Sequence, residues 1–381
     1  MARRNWDDRR ELVEEARAPA ANAAGALPPE TIADLHRLGV LRLLQPKRFG
    51  GLAGPFATFS EIAETLSEGC ASTGWVYGVL AEHSWIVACF PERAQQEVWG
   101  EDPLALASSS LAPRAVARHV PGGWLVSGRY PFSSGCLHAQ WAIVGAFCKE
   151  ADGSTPQRYL LVPISEIEIL DDWQVLGLRA TGSRTLMLRD VFVPEYRSVL
   201  LSDLARGTVP GAAVHPDYPL VRAPRFYLCI YSQVPTAAAV ARNAVDFVAR
   251  SLRERVTRGV RKVAESEVVQ MKLAQAAAEI EAASLILHTR RRAASDAVMA
   301  GRAIPQADIV AGRRDVVFVH QLVSRAMERL CDIAGTQWVY DDNPLQPMMR
   351  DVQTTAMHGA VNWQVGMVPY GRMRLGLEPD G

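Results

Sequence analysis

No excess of either charge runs through this sequence: Lys plus Arg and Asp plus Glu both number 41. A chain so balanced lacks the field that draws nucleic acid or an anionic membrane surface, so neither is expected as a partner. Long apolar runs are missing too. The stretch from Trp75 to Cys89 is interrupted by Glu82 and His83, and no segment reaches the length of a membrane span. The charged start Met-Ala-Arg-Arg-Asn-Trp-Asp-Asp-Arg-Arg is unlike a secretory signal. The cysteines Cys70, Cys89, Cys136, Cys148, Cys229 and Cys331 form no C-x-x-C pair and no Cys/His cluster at metal spacing. They read as reduced thiols of a cytoplasmic protein that holds no metal. No G-x-G-x-x-G follows a strand-like run and no P-loop lysine pattern occurs, so no nicotinamide or nucleotide cradle is visible.

What is present is apolar bulk, 49% of 381 residues, enough for several packed units. The period of that bulk changes twice along the chain. Residues 1–105 carry helical spacing, from a charged amphipathic start over Leu12–Ala18 to a stretch over Ser72–Phe90 that is apolar nearly all round. Residues 106–224 hold short runs bounded by Gly and Pro: Ser108–Pro113, Ala115–Val120, Gly123–Ser127, Trp141–Gly145, Tyr159–Pro163 and Thr185–Pro194. These predict a compact sheet that ends near Pro194, followed by a loop to about Pro224. Residues 225–381 return to helix over Thr236–Arg255, Ala264–Met299, Gln306–Ile333 and Gln346–Val368, which predicts a four-helix bundle. The fold class is α+β.

Between two of the sheet runs lies Arg129-Tyr-Pro-Phe-Ser-Ser-Gly-Cys-Leu-His-Ala-Gln-Trp141. Two hydroxyls and a glycine among aromatic side chains can set N–H groups and hydroxyls against a flat ligand. From its own residues this stretch reads more readily as an ordinary Ser/Gly turn.

The order of helices, sheet and bundle resembles the acyl-CoA dehydrogenase fold. Pro46-Lys-Arg-Phe-Gly-Gly, Leu176-Gly-Leu-Arg-Ala-Thr-Gly-Ser-Arg-Thr, Asp190-Val-Phe-Val-Pro, the helix from Gln270 and the pair Arg350-Asp351 all fall in family order. Within that fold the chain is most similar to the flavin-dependent monooxygenases, the oxygenase components of two-component aromatic hydroxylases. Cys70-Ala-Ser-Thr-Gly-Trp-Val-Tyr-Gly with His83, Ser108-Ser-Ser-Leu-Ala-Pro, Phe132-Ser-Ser-Gly-Cys-Leu-His-Ala-Gln-Trp, the segment from Arg350 to His358 and Tyr370-Gly-Arg-Met-Arg-Leu-Gly-Leu carry the likeness. The segment Asn362–Arg372 also lacks the carboxylate that many dehydrogenases of this fold use to remove an α-proton.

The resemblance implies reduced FMN or FAD with O2 as co-substrate, a C4a-hydroperoxide, and hydroxylation of a phenolic or polycyclic aromatic. It implies a homotetramer and a separate NAD(P)H-dependent flavin reductase that hands over reduced flavin by diffusion. It assigns Ser134, beside Ser133, to the flavin N5 side, His358 to the C4a side, and His83 and Ser109 to the substrate hydroxyl. Phe132, Trp141 and Trp75 would exclude water. Arg225, Arg255 and Arg258 are candidates for flavin contacts, although a solvated basic helix end explains the last two as well. The aromatics and histidines also suit plain core packing. Three other activities fit less closely: an N- or S-oxygenase of the same fold acting on an amine, amino sugar or thioether; an acyl-CoA dehydrogenase-like FAD enzyme; and a non-catalytic flavin-binding protein. The pair Leu137-His138 departs from the family pattern.

Overall fold

The computed structural model describes residues 17–150, 152–257 and 261–379. Arg258 and the first part of the amphipathic start at Leu12–Ala18 lie outside the described residues.

Five helices come first: α1 (Ala18–Ala24), α2 (Pro29–Leu38), α3 (Phe56–Gly69), α4 (Ala71–Ala88) and α5 (Glu92–Trp99). Pro29 opens α2 at a position whose N–H has no helical partner in any case, and Gly39 closes it in the left-handed conformation. Helix α4 is buried at every one of its 18 positions. Its glycines explain how neighbours approach so closely. A Cβ on Gly74 would sit 1.9 Å from Ser67 Oγ, and one on Gly78 would sit 2.9 Å from the Ser232 carbonyl.

Eight strands follow: β1 (Ala107–Ser110), β2 (Val116–Val120), β3 (Gly123–Ser133), β4 (Trp141–Cys148), β5 (Gln157–Pro163), β6 (Glu168–Ile169), β7 (Arg184–Pro194) and β8 (Ser198–Leu200). They form one sheet in the order β6-β7-β3-β2-β4-β5-β8, with β1 paired in parallel to β4. One face closes on its own core around Trp124, Tyr130, Leu160 and Leu186. Ile143, Tyr159 and Leu161 join the larger core shared with the helices. That alternation along β4 and β5 is the period of a strand buried on both faces.

The sheet differs from its sequence reading in two places. Strand β3 does not stop at Ser127 but pairs with β7 as far as Ser133. A register shift between Tyr130 and Ser133, with Phe132 at φ 64°, lets the strand continue past a local kink that the sequence pattern presents as a turn. The sheet also extends beyond Pro194, because β8 pairs with the edge of β5.

The segment after the sheet, expected as a loop, contains α6 (Leu201–Arg206) and α7 (Gly211–Val214). Then come α8 (Arg225–Leu228), α9 (Val234–Glu254), α10 (Glu267–Met299), α11 (Gln306–Ala334), α12 (Leu345–Thr355) and α13 (Trp363–Arg374). Helices α9, α10 and α11 stand close to where the periodicity puts them. The expected fourth helix, Gln346–Val368, is instead broken into α12 and α13. Between them a single 3₁₀ turn spans Gly359–Val361, and Asn362 starts the new helix by accepting a hydrogen bond from Val365 N–H. An Asn in this position satisfies an orphan donor and resets the helix start, which periodicity alone does not reveal.

Candidate active site

A cavity of about 700 Å³ lies where α4, β1, the β3 turn, α8 and the α12–α13 break meet. Helix α4 supplies Trp75, Val79, Glu82 and His83, a spacing that places them on one face. Arg225, Phe226, Cys229, Ile230 and Gln233 form a second stripe of near-helical spacing. The sheet contributes Ser109, Phe132 and Ser134, and the break contributes His358.

Two histidines hold complementary tautomers. His83 Nδ1 lies 2.7 Å from the Ala107 carbonyl, which only a protonated nitrogen can satisfy, so Nε2 is left as an acceptor. Burial lowers its pKa to about 4. His358 is arranged the other way: its Nδ1 accepts from Ala360 N–H at 3.3 Å, so in the neutral ring Nε2 carries the hydrogen and donates. Solvent reaches this ring through the cavity, yet surrounding protein desolvates it. That desolvation and the Arg225 guanidinium hold its pKa to about 4. Both imidazoles are therefore neutral near pH 7.

Ser134 is the junction of a hydroxyl chain. Its Oγ accepts from Trp75 Nε1–H at 3.1 Å and meets Ser183 Oγ at 2.7 Å, which in turn meets Thr181 Oγ1 at 2.6 Å. The Trp75 indole stands edge-on to His358, ring centroids 5.5 Å apart, so one residue links the serine and histidine sides. Phe132 is exposed at the opening and packs at 89° against Trp173.

The structure thus brings together Trp75, His83, Ser109, Phe132, Ser134, Arg225 and His358. Ser133 is fully buried beside them, off the cavity wall, and its hydroxyl lacks a partner. Trp141 packs under the Arg197 guanidinium. Arg255 lies elsewhere, donating to the Ala334 carbonyl at the end of α11. Sequence reasoning missed Glu82, Gln233, Trp173, Ser183 and Arg313 as wall residues. Only Glu82 had left a signal, as a carboxylate inside a helix that is apolar nearly all round.

These walls suit a flat ring system: indole and aliphatic faces at Trp75, Trp173 and Leu178, and an orientable hydroxyl edge at Ser134, Ser183 and Thr181.

The chain matches the acyl-CoA dehydrogenase N-terminal domain over residues 5–102 and the acyl-CoA dehydrogenase C-terminal domain over residues 232–363. It is 37% identical to the FADH2-dependent resorcinol hydroxylase oxygenase component of Rhizobium sp. (strain MTP-10005), over 94% of this chain and 90% of that one. The solved HsaA monooxygenase of M. tuberculosis superposes with a TM-score of 0.90 at 34% identity, covering 97% of this chain and 95% of the other. XiaF from Streptomyces sp., solved with FADH2 and glycerol, gives 0.86 at 30% identity, covering 98% and 97%. With the two histidines and the serine chain gathered on one flavin-sized cavity, this chain belongs to the flavin-dependent monooxygenases of the acyl-CoA dehydrogenase fold, as an oxygenase component that uses reduced flavin and O2.

Proposed function

We propose that this oxygenase hydroxylates a phenolic aromatic bound between His83 and Ser109 on one side and His358 on the other. Bound reduced flavin, with O2, supplies the electrophilic oxygen. The chain's residues supply position, hydrogen bonds and dryness. His83 Nε2 accepts a hydrogen bond from the substrate hydroxyl, raising electron density on the ring carbon to be attacked. Ser109 lies two residues beyond Ala107 on β1, so the two side chains share one face of the strand, and Ser109 lines the cavity with His83. Ser134 holds the flavin edge, relayed through Ser183 to Thr181. His358 Nε2–H donates to oxygen as negative charge grows on it. Trp75, Trp173 and Phe132 keep water away.

The observation that carries this reading is the opposed tautomers, an acceptor at His83 and a donor at His358 on one cavity. It favours oxygen transfer to a hydroxylated ring over an amine or thioether, neither of which offers His83 an acidic hydroxyl.

A separate flavin reductase supplies the reduced flavin, with transfer by diffusion, and the protein works in the cytoplasm. No helix among the described residues is long and apolar enough to cross a membrane. The proposed assembly is a homotetramer. Met357, Trp363, Val365, Val368, Leu375 and Leu377 leave an apolar surface along and beside α13, of the kind that subunit contacts cover. Light scattering reads the mass directly.

Rapid mixing of the protein with reduced flavin and O2 tests the activity. A transient flavin species that outlasts the oxidation of free flavin, followed by hydroxylated product from a phenol, is expected. Flavin oxidation at the rate seen in buffer, with no product, overturns the reading.

A further inference from the structure

At the end of the cavity beyond His83, two charged side chains face each other with polar atoms unused. Glu82 is 3% exposed and Arg225 is 7% exposed, and both line the wall. The carboxylate and guanidinium approach only to 3.9 Å. Glu82 Oε1 and Arg225 Nε have no hydrogen-bond partner. Gln233 reaches Glu82 Oε2 at 3.5 Å, the limit of a hydrogen bond. Arg225 is otherwise held by aromatic faces, with Tyr159 at 5.3 Å and Phe226 at 5.5 Å. Two further cations line the cavity, Arg114 and part-exposed Arg313, the latter 5.3 Å from the Phe226 ring.

Buried ions with open hydrogen-bonding capacity are costly, and this pair is set further apart than good pairing requires. The gap suits a ligand group that accepts from the guanidinium and donates to the carboxylate. A hydroxyl or an amide does both. A carboxylate cannot donate, and its charge would be brought up to Glu82 in a low-dielectric pocket.

We infer that Glu82, set against Arg225, is a specificity-determining residue that selects aromatic substrates carrying a second, neutral polar group and disfavours those carrying a carboxylate. This rests on the reading of the cavity as a phenol hydroxylase site. Arg225 by itself would attract anions; Glu82 cancels that attraction.

Two phenols of equal shape decide it: p-hydroxyphenylacetate and its neutral amide, p-hydroxyphenylacetamide, titrated anaerobically into the full-length protein with reduced flavin. The wild type should bind the amide about tenfold more tightly, since the amide donates to Glu82 while a carboxylate leaves Glu82 unpaired and gives up its own hydration at a pair that offers it no net charge. Glu82→Gln removes the charge at nearly constant shape and should reverse or abolish the preference. Glu82→Asp should restore it. A wild-type protein that binds both phenols alike overturns the inference without reference to any variant. So does a Glu82→Gln protein that keeps the wild-type ratio. If wild type turns over phenols but shows no preference, only the role of Glu82 falls. If neither phenol binds and flavin oxidises as in buffer, the hydroxylase reading falls with it.

Discussion

At the scale of single residues, the site depends on which nitrogen of each histidine carries the proton. His358→Asn keeps a side chain able to accept from Ala360 N–H but loses the Nε2 donor aimed at the cavity. Product formation should slow by about 100-fold, the size of a lost transition-state hydrogen bond, with the melting temperature nearly unchanged; single-turnover kinetics reads the first and calorimetry the second. Ser134→Ala acts differently. It strands the buried Trp75 Nε1–H and cuts the path from Trp75 to Ser183 and Thr181. The flavin edge loses its fixed partner, so more O2 should be lost as hydrogen peroxide. An unchanged peroxide yield per flavin oxidised would count against a place for Ser134 at the flavin. Most of these residues were legible from the sequence because short motifs around them resemble those of the family. Gln233 was not, since it reaches the cavity through the packing of a helix start whose pattern speaks only of burial, and Ser183 sits in a motif that marks the sheet without saying which way its hydroxyl faces.

At the scale of elements, the site is set by how near α4 lies to α3. Gly74 is one residue from Trp75, and an added Cβ there would meet Ser67 Oγ at 1.9 Å and the Ala63 carbonyl at 2.6 Å. Gly74→Ala must push the helices apart, costing about 1–3 kcal/mol of stability as overpacking does. Since α4 carries Val79, Glu82 and His83 as well, phenol affinity should fall together with the urea midpoint. A variant that loses stability but binds phenol normally would show that α3, rather than α4, had moved. The same scale explains where periodicity failed. Apolar spacing continues across residues 356–362 as if one helix ran through, because both α12 and α13 pack against α11. The break is written in Met357-His-Gly-Ala-Val-Asn362, a glycine and a capping asparagine that a window of helical length averages away. The kink at Phe132 was hidden for a similar reason: a non-glycine residue at positive φ leaves no mark in sequence.

At the scale of the whole molecule, the buried charges predict acid sensitivity. Glu64 is held between Arg242, Arg291 and His288 at the junction of α3, α9 and α10. Burial there pushes its carboxyl up, but the His288 hydrogen bond and the arginines outweigh it and bring the pKa to about 2. The unfolded value being higher, the stability this group contributes is complete above pH ~4.5 and is lost as pH falls towards 2, about 3 kcal/mol in all. Buried His83, His215 and His320 have pKa values lowered to about 4. They are neutral when folded and take up protons on unfolding, so stability also declines as pH drops from ~6.5 to 4. Asp351, raised to about 6 by burial, works in the opposite sense: its contribution is present below the ordinary carboxylate range and is lost as pH rises through 6. With four lowered imidazoles, His358 included, against the raised carboxyls of Asp351 and Glu82, the melting temperature should fall continuously below pH ~6.5 and more steeply below 4.5. A flat profile from pH 7 to 5 would mean that these imidazoles are not buried neutral in solution.

The break between α12 and α13 makes the cavity a caliper. Its acceptor jaw, His83, rides on α4 and is pinned to the sheet through Ala107; its donor jaw, His358, rides on a link whose two flanking helices rest on α11. The jaw spacing is therefore a property of layer separation, which single changes can tune. Gly366 already lies so close to Val317 that a Cβ would come within 2.6 Å. Trimming Val317 or enlarging Gly366 resets the opening, and with it the width of ring system admitted, while removing none of the site's hydrogen-bonding groups.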